Sequence, residues 1–372
     1  MQTIWIEQKK LENILAKNEA FWLGELDEGP VMWVTAPNAK KGIEMPQEPA
    51  DKQQMWTDID YLMKATESQL SRTYYAGDSL PVFNPWLGPD QVASWLGAKI
   101  TLKPKEFTSW VEPFVDDWAK YPKLEIAPDN KWWNLYLNTV KASVRAGKDK
   151  WVTAYPDLHT GVDGLSAIRG AENLMIDMLM SPEIIKNRMQ QMTQLFKDIV
   201  DQVSDIVIPA GQGTSNWTMG WSSKRFLCIG QNDFSCMISP AMFTDFCWPD
   251  TLETANYSDY NIYHLDGPDA ARHLPKILEL EKVNCIQWIQ GAGNPYPSKW
   301  LDMLKKIQDS GKSVQLCYLP GHGEGADFFE EVKILCNCLD VSKLFFWFVT
   351  DSKEKADALV KYAKDISCGK KY

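Results

Sequence analysis

Four histidines occur in this chain of 372 residues, and two of them, His159 and His264, stand two positions from an aspartate. An imidazole beside a carboxylate supplies either a general acid and base or two ligands for a divalent metal. In His264-Leu265-Asp266 the spacing of two places both side chains on one side of an extended strand, so they serve one point as metal ligands or as an acid/base pair. Asp157-Leu158-His159 offers the same groups in reverse order, with Asp163 a few residues on. The simpler alternative for each is a histidine hydrogen-bonded to its carboxylate to order a loop. Asp233, in Asn232-Asp-Phe-Ser-Cys-Met237, sits among apolar neighbours where an unpaired carboxylate is expensive, and a place in the pocket gives it a partner. His273, in a helical stretch after Pro268, reads as a surface or packing residue. His322, in Gly321-His-Gly-Glu-Gly325, reads either as a loop residue or as an outer ligand.

Something rigid must hold these residues. From about residue 150 onward, short apolar runs alternate with helical patterns, the signature of β-α units and a parallel sheet. Strands are expected at Trp151–Tyr155, Asp205–Ile208, Arg225–Ile229, Asn261–His264, Cys285–Ile289, Ser313–Tyr318 and Leu344–Val349, with Val31–Thr35 and Leu80–Asn84 in the first half. Ser181-Pro182-Glu183 and Ser239-Pro240 each place a capping side chain before a proline suited to the first helical position. Asp351-Ser-Lys-Glu354 reads as a capping box ahead of an apolar stripe of Ala356, Leu359, Val360 and Ala363. The N-terminus reads as a short helix, and Asp51–Tyr75 as a long amphipathic stretch. Residues 104–150, with Trp110, Trp118, Trp132 and Trp133, read as a helical insertion that roofs the mouth of the fold.

Neither a linker nor an internal repeat interrupts the pattern. The expected fold is therefore α/β, a (β/α)8 TIM barrel over residues 1–372 as a single domain with an N-terminal helical, Trp-rich insertion. A doubly wound open sheet is the alternative. In a barrel the working residues lie just past the C-terminal ends of the strands. There the chain places Gln287, Trp288, Gln290 and Tyr318 as candidate contacts for a small-molecule substrate, with Cys317 beside them. Gly291-Ala-Gly293 fits a tight turn as well as a phosphate cradle, and Cys336-x-Cys338 on a helix points its two thiols to different sides.

The charge of −10 and the absence of a basic run argue against nucleic acid as a partner. Nothing approaches eighteen consecutive apolar residues, so no membrane span is expected. Eight scattered cysteines without a CxxC pair, and no secretory leader, imply reduced thiols and a cytoplasmic protein. Of the 17 tryptophans most are expected to be packing residues, the remainder walling a pocket.

Tyr263-His-Leu-Asp-Gly-Pro-Asp-Ala-Ala-Arg-His273, followed by Cys285-Ile-Gln-Trp-Ile-Gln-Gly-Ala-Gly-Asn-Pro295, resembles the uroporphyrinogen decarboxylase-like superfamily, especially its branch associated with corrinoid (cobalamin)-dependent methyltransferases. Asp78-Ser-Leu-Pro-Val-Phe-Asn-Pro-Trp-Leu-Gly-Pro89, Asp157-Leu-His159, Arg169-Gly-Ala-Glu-Asn-Leu174 and Ile238-Ser-Pro-Ala-Met-Phe243 occur in the order that superfamily uses. The resemblance implies a (β/α)8 barrel and either tetrapyrrole decarboxylation or methyl transfer involving a corrinoid carrier protein. Members acting on coenzyme M hold zinc through a His-x-Cys pair and a later Cys. Here the pair reads His264-Leu-Asp266, and the last strand, Leu344-Phe-Phe-Trp-Phe-Val349, has no Cys. Cys317 or Asp233 can complete a different site. The arginine-rich N-terminal segment of the haem-pathway decarboxylases is missing.

The expected activity is thus a methyltransferase that moves a methyl group from a small O- or N-methylated donor to a corrinoid carrier protein. His264, Asp266, Asp157, His159 and Asp233 are the candidate catalytic residues, and His264, Asp266 and Cys317 the candidate zinc ligands. Two alternatives stand beside it: a corrinoid-independent decarboxylase or lyase acting on a small carboxylate, and a binding protein that has kept the fold and lost the chemistry.

Overall fold

The computed structural model describes residues 1–27, 29–38, 42–319 and 325–369. Its strands, in chain order, are β1 (Val31–Pro37), β2 (Thr73–Gly77), β3 (Val82–Phe83), β4 (Lys99–Lys103), β5 (Thr108–Glu112), β6 (Val152–Thr153), β7 (Phe226–Ile229), β8 (Tyr260–Asp266), β9 (Cys285–Ile289), β10 (Ser313–Tyr318) and β11 (Leu344–Val349). Six of them run parallel in the order β1-β11-β10-β9-β8-β7, with β2 antiparallel on the free edge of β1. β3 and β6 form a separate parallel pair. Helices follow the strands, as parallel connections require.

The protein is therefore mixed α/β around a parallel sheet. Among the described residues no continuous ladder joins the two sheets, and no closed barrel is found. Loops fill both gaps instead. Between β6 and β7 the segment 212–222 supplies Ser215, whose carbonyl accepts from Tyr155 N at 2.8 Å, and Thr214, whose Oγ1 accepts from Phe226 N at 3.1 Å. Between β1 and β3, Asp78 N donates to Met32 O at 2.8 Å and Ser79 Oγ to Val34 O at 2.9 Å.

Side chains alternate along each strand between two cores. Ile286, Trp288, Val314, Leu316, Tyr263 and Leu265 enter the larger core, which lies between the sheet and the surrounding helices. Val31, Trp33, Val82, Val152, Phe226, Ile262, Cys285 and Phe345, drawn from both sheets, share a second core. The helix Gln8–Leu23 closes one end of that second core with Leu11, Ile14, Phe21 and Trp22. Its Trp22 indole donates to Trp221 O at 2.8 Å, and Asn18 Oδ1 accepts from Trp221 N at 3.1 Å.

Several elements differ from the sequence expectation. Asp205–Ile208 is the last turn of the helix Pro182–Val207 and the start of a 3-10 turn. Its β-branched residues mimic a strand, but Ile199, Val203 and Val207 recur every four residues and are buried along one face of the helix. The insertion is only partly helical: a β4–β5 hairpin precedes the helix Lys131–Ala146. There Asn130 caps Trp132 and Trp133 N–H, and Trp95 packs on Trp133 at 4.8 Å. The amphipathic stretch 51–75 breaks at Asp58, which caps the helix Ile59–Ser71 before β2 begins. At the last helix the capping residue is Ser352, not Asp351, and it accepts from Lys355 N. Helices start at Pro182 and Pro240 as expected, but only Ser239 caps with its side chain, accepting from Met242 N; the Ser181 side chain makes no capping bond. No described helix is long and apolar enough to cross a membrane.

Asp250, in the helix Trp248–Ala255, is buried at 7% exposure. Burial pushes its carboxyl up to about 6. Thr193 Oγ1 lies 2.5 Å from Asp250 Oδ1 and 3.0 Å from Met189 O, and one hydroxyl proton cannot serve both acceptors. Above about pH 6 Thr193 donates to the Asp250 carboxylate, and below it the protonated acid donates to Thr193 instead. A folded-state value above the ordinary carboxylate range means that folding favours the protonated form, so stability falls as pH rises from about 4 through about 6. Asp250→Asn is expected to match the wild type near pH 4 and to exceed it by about 1–3 kcal/mol at pH 8 in urea denaturation. A wild type that gains stability over the variant between those pH values refutes this.

Candidate active site

The polar residues gather where β6, β7 and β8 end. Alternation on β8 decides which way each side chain points. Tyr263 and Leu265 belong to the outer core and Ile262 to the inner, so His264 and Asp266 face inward. The same rule sends Gln287 on β9 inward, with Cys285, and Gln315 and Cys317 on β10 inward, opposite Leu316. In register, His264 stands beside Gln287 and Gln287 beside Gln315.

The loop after β7 brings in Asp233. Asp163, on the helix Gly161–Arg169, accepts from Asp233 N at 2.9 Å and Phe234 N at 2.8 Å, pinning the first turn of the 3-10 helix Asp233–Met237. Gly161 opens that helix at φ +58°, and a Cβ there would lie 2.8 Å from Asp250 Oδ2, so glycine is required. Asp233 Oδ1 comes within 3.8 Å of His264 Nε2. Asp233, His264 and Asp266 each offer a ligand atom within 4.8 Å of the others.

A second cluster adjoins the first. His159 Nε2 lies 3.5 Å from Asp157 Oδ1, and His159 Nδ1 lies 3.8 Å from Asp90 Oδ1. Gln231 Nε2 donates to Asp157 Oδ1 at 2.5 Å, and Gln91 Nε2 to the Asp157 carbonyl at 2.9 Å. Burial opposes charge on His159, but Asp157, Asp90, Asp163 and Asp233 outweigh it and hold the imidazole proton up to about 10. Burial pushes the Asp157 carboxyl upward against the pull of His159 and Gln231. Asp163 is pushed up to about 8 by burial and by the charge of Asp233. The site thus holds five carboxyl groups and two imidazoles in a small volume, an arrangement suited to a cation or to proton exchange.

The remaining expected contacts are dispersed. Trp288 is wholly buried in the outer core, its indole edge-on to Trp300 at 5.0 Å. Tyr318 also faces outward, where its hydroxyl donates to Glu331 Oε2 at 2.7 Å and its ring stacks on Phe348. Both follow the strand period, which puts them one residue out of phase with Gln287 and Cys317. Gln290 is buried just past β9. Cys317 faces inward, but burial pushes its thiol up to about 12, and it accepts from Gln287 Nε2 at 3.4 Å instead of joining the three grouped ligands. Asp233 takes the third position. His273 is a packing residue, stacked on Phe243 and 2.9 Å from Ser235 O. His322 lies outside the described residues.

Sequence reasoning missed Asp90, Gln91, Gln315 and Trp217, whose ring meets the His264 ring edge-on at 5.0 Å. Gln315 carried a usable signal, a lone amide inside the apolar run Val314–Tyr318. Asp90 and Gln91 carried none, being brought in by a loop more than sixty residues away from Asp157.

No family model matches the sequence, and no curated protein matches it. Among solved structures, a methyltransferase from Methanosarcina mazei aligns over 95% of this chain and 98% of its own, with a TM-score of 0.62 and 14% sequence identity. This chain shares that protein's fold.

An imidazole held this way keeps its proton through neutral pH. In an NMR titration His159 is expected to deprotonate near 10, and Asp157→Asn to lower that midpoint by about 1–3 units. The sign follows for stability as well: the His159 ion pair contributes fully below the ordinary histidine range and is lost as pH rises through about 10. A midpoint near 6.5 in the wild type would rule out the charged pair.

Proposed function

We propose that the chain is a methyltransferase that takes a methyl group from a small O- or N-methylated donor and passes it to a corrinoid carrier protein. The observation that carries this reading is the Asp233, His264 and Asp266 group, inward-facing at the strand ends and backed by a protonated His159. The fold shared with a methyltransferase supports it, as does the ordered resemblance of His264-Leu-Asp266 and its neighbours to the corrinoid-associated branch. We infer further that the two sheets wall one (β/α)8 barrel within a single domain, since inward residues from both enter one core.

The donor set of one imidazole and two carboxylates fits zinc, which accepts nitrogen and oxygen ligands and commonly leaves a position open in catalytic sites. Bound there, zinc supplies a Lewis acid that draws electron density from a donor oxygen or nitrogen. Asp233, His264 and Asp266 hold and orient that charge. Asp163 keeps Asp233 in place through its two backbone N–H bonds. His159, kept protonated by Asp157 and Asp90, delivers a proton to the heteroatom as its bond to the methyl carbon breaks and the bonding pair stays behind. The corrinoid carrier enters as the co-substrate that receives the methyl group.

A second reading has one observation in its favour. A buried imidazolium such as His159 also binds a carboxylate or protonates a carbanion, as a corrinoid-independent decarboxylase or lyase requires. Turnover of a small carboxylate by the isolated protein, with no carrier or cobalamin present, selects it.

The test uses purified protein, free cob(I)alamin and a panel of O-methyl and N-methyl compounds, with methylcobalamin formation followed by absorbance. His264→Ala is expected to lose about 10²-fold or more of the rate with an unchanged circular dichroism spectrum. Elemental analysis is expected to find about one zinc per wild-type chain and none in the variant. Full activity in His264→Ala overturns the assignment.

A further inference from the structure

Three buried side chains form an unbroken line across neighbouring strands. His264 Nδ1 lies 2.6 Å from Gln287 Oε1, Gln287 Nε2 lies 2.7 Å from Gln315 Oε1, and Gln315 Nε2 lies 2.8 Å from the Thr218 carbonyl. Gln287 and Gln315 are fully buried and His264 is 9% exposed, so no solvent is at hand to satisfy a misdirected group.

The polarity of this line is set at its far end. A backbone carbonyl only accepts, so Gln315 must present its NH2 to Thr218 and its oxygen to Gln287. Gln287 must then donate to Gln315, and its second N–H is taken by Cys317 Sγ at 3.4 Å. Its oxygen is left facing His264 Nδ1. An amide oxygen has no proton to give, so Nδ1 has to carry one. Turning either amide over would set two oxygens, or two NH2 groups, against each other in a dry interior, leaving buried polar groups unsatisfied.

The anchor is itself fixed. Asn216 Oδ1 accepts from both Thr218 N at 2.9 Å and Thr218 Oγ1 at 2.6 Å. The Trp217 ring stands edge-on against the imidazole at an interplanar angle of 74°, which opposes rotation of the ring about its Cβ–Cγ bond.

We propose that Gln287 and Gln315 are positioning residues that lock His264 in the Nδ1–H tautomer, so that the lone pair of Nε2 points at Asp233 and Asp266. Gln287 therefore does not contact substrate. Its work is done one bond away, on the ring that does. A histidine whose second nitrogen is committed in this way is a prepared metal ligand, with orientation and tautomer set before any ion arrives. The consequence for metal affinity rests on the zinc reading above; the tautomer itself does not.

The test therefore reads the two separately. Ring ¹⁵N shifts of histidine-labelled, metal-stripped protein identify the tautomer of the neutral His264 ring, with His264→Ala giving the assignment. The wild type is expected to be Nδ1–H. In Gln315→Leu the contact between His264 and Gln287 remains but only the weak N–H···S contact to Cys317 still orients the amide, and a mixture of tautomers is expected. Chelator competition with Zn²⁺ alone is expected to show about 10–100-fold weaker binding in Gln287→Leu and in Gln315→Leu. A wild-type ring found as Nε2–H overturns the proposal, whatever the variants do. An Nδ1–H wild type and a tautomer mixture in Gln315→Leu, together with no Zn²⁺ binding, supports the proposal and refutes the metal reading instead.

Discussion

The two-residue period of three adjacent parallel strands is the constraint on which this site depends. β8, β9 and β10 are in register at His264, Gln287 and Gln315, and because alternate residues point to opposite faces, these three meet inside while Leu265, Trp288 and Leu316 meet outside. One face is a chain of amides ending on a reactive imidazole. The other is an apolar layer against the helices. A slip of one residue in any of the three strands would exchange the faces, burying Trp288 where Gln287 belongs. The apolar layer thus guards the register that the polar line needs, and the polar line, with no solvent to complete it, penalises every other register.

The carboxylates are arranged on the same economy. Asp163 carries no obvious role in chemistry, yet both its oxygens accept backbone N–H groups from the turn that presents Asp233. Asp157 is tied by Gln231 at its side chain and by Gln91 at its carbonyl. Each group that faces the pocket is held by one that does not. Close carboxylates raise one another's affinity for protons, and they hold His159 positively charged among them. The result is a site whose ionisation is collective, in which a proton or cation added at one carboxyl is felt at the rest.

Much of this was legible in the sequence because it depended on local period. His264 and Asp266 were found by their spacing on a strand, and that strand by its apolar run. Asp233 was found by the cost of a charge among apolar neighbours. The same local reading went wrong at Asp205–Ile208, where β-branched residues on a long helix imitate a strand. It also went wrong at Trp288 and Tyr318, where residue type suggested a pocket wall and strand phase put both on the far side. What was not legible came from tertiary approach. Asp90 reaches His159 across a loop, and Thr218 reaches Gln315 from a segment nearly a hundred residues away. The segments 78–89, 157–159, 169–174 and 238–243, in order around 263–273 and 285–295, carried the resemblance, and the structural comparison supports its coarser part, the fold of a methyltransferase.

The helix Gln8–Leu23 touches none of the reactive groups, yet it hydrogen-bonds through Asn18 and Trp22 to Trp221, at the end of the loop that carries Thr218. Those bonds span about two hundred residues of sequence. During synthesis this helix is made about two hundred residues before the loop it binds, so Trp22 and its neighbours wait for the later part of their core, Trp221, Phe226, Tyr260 and Phe345. Contacts this distant are formed slowly, since the closure of the intervening loop must be met before they return anything. The apolar face of this helix is therefore in need of shelter in the nascent chain, and the loop that anchors the His264 line is tied down only by contacts of long sequence separation.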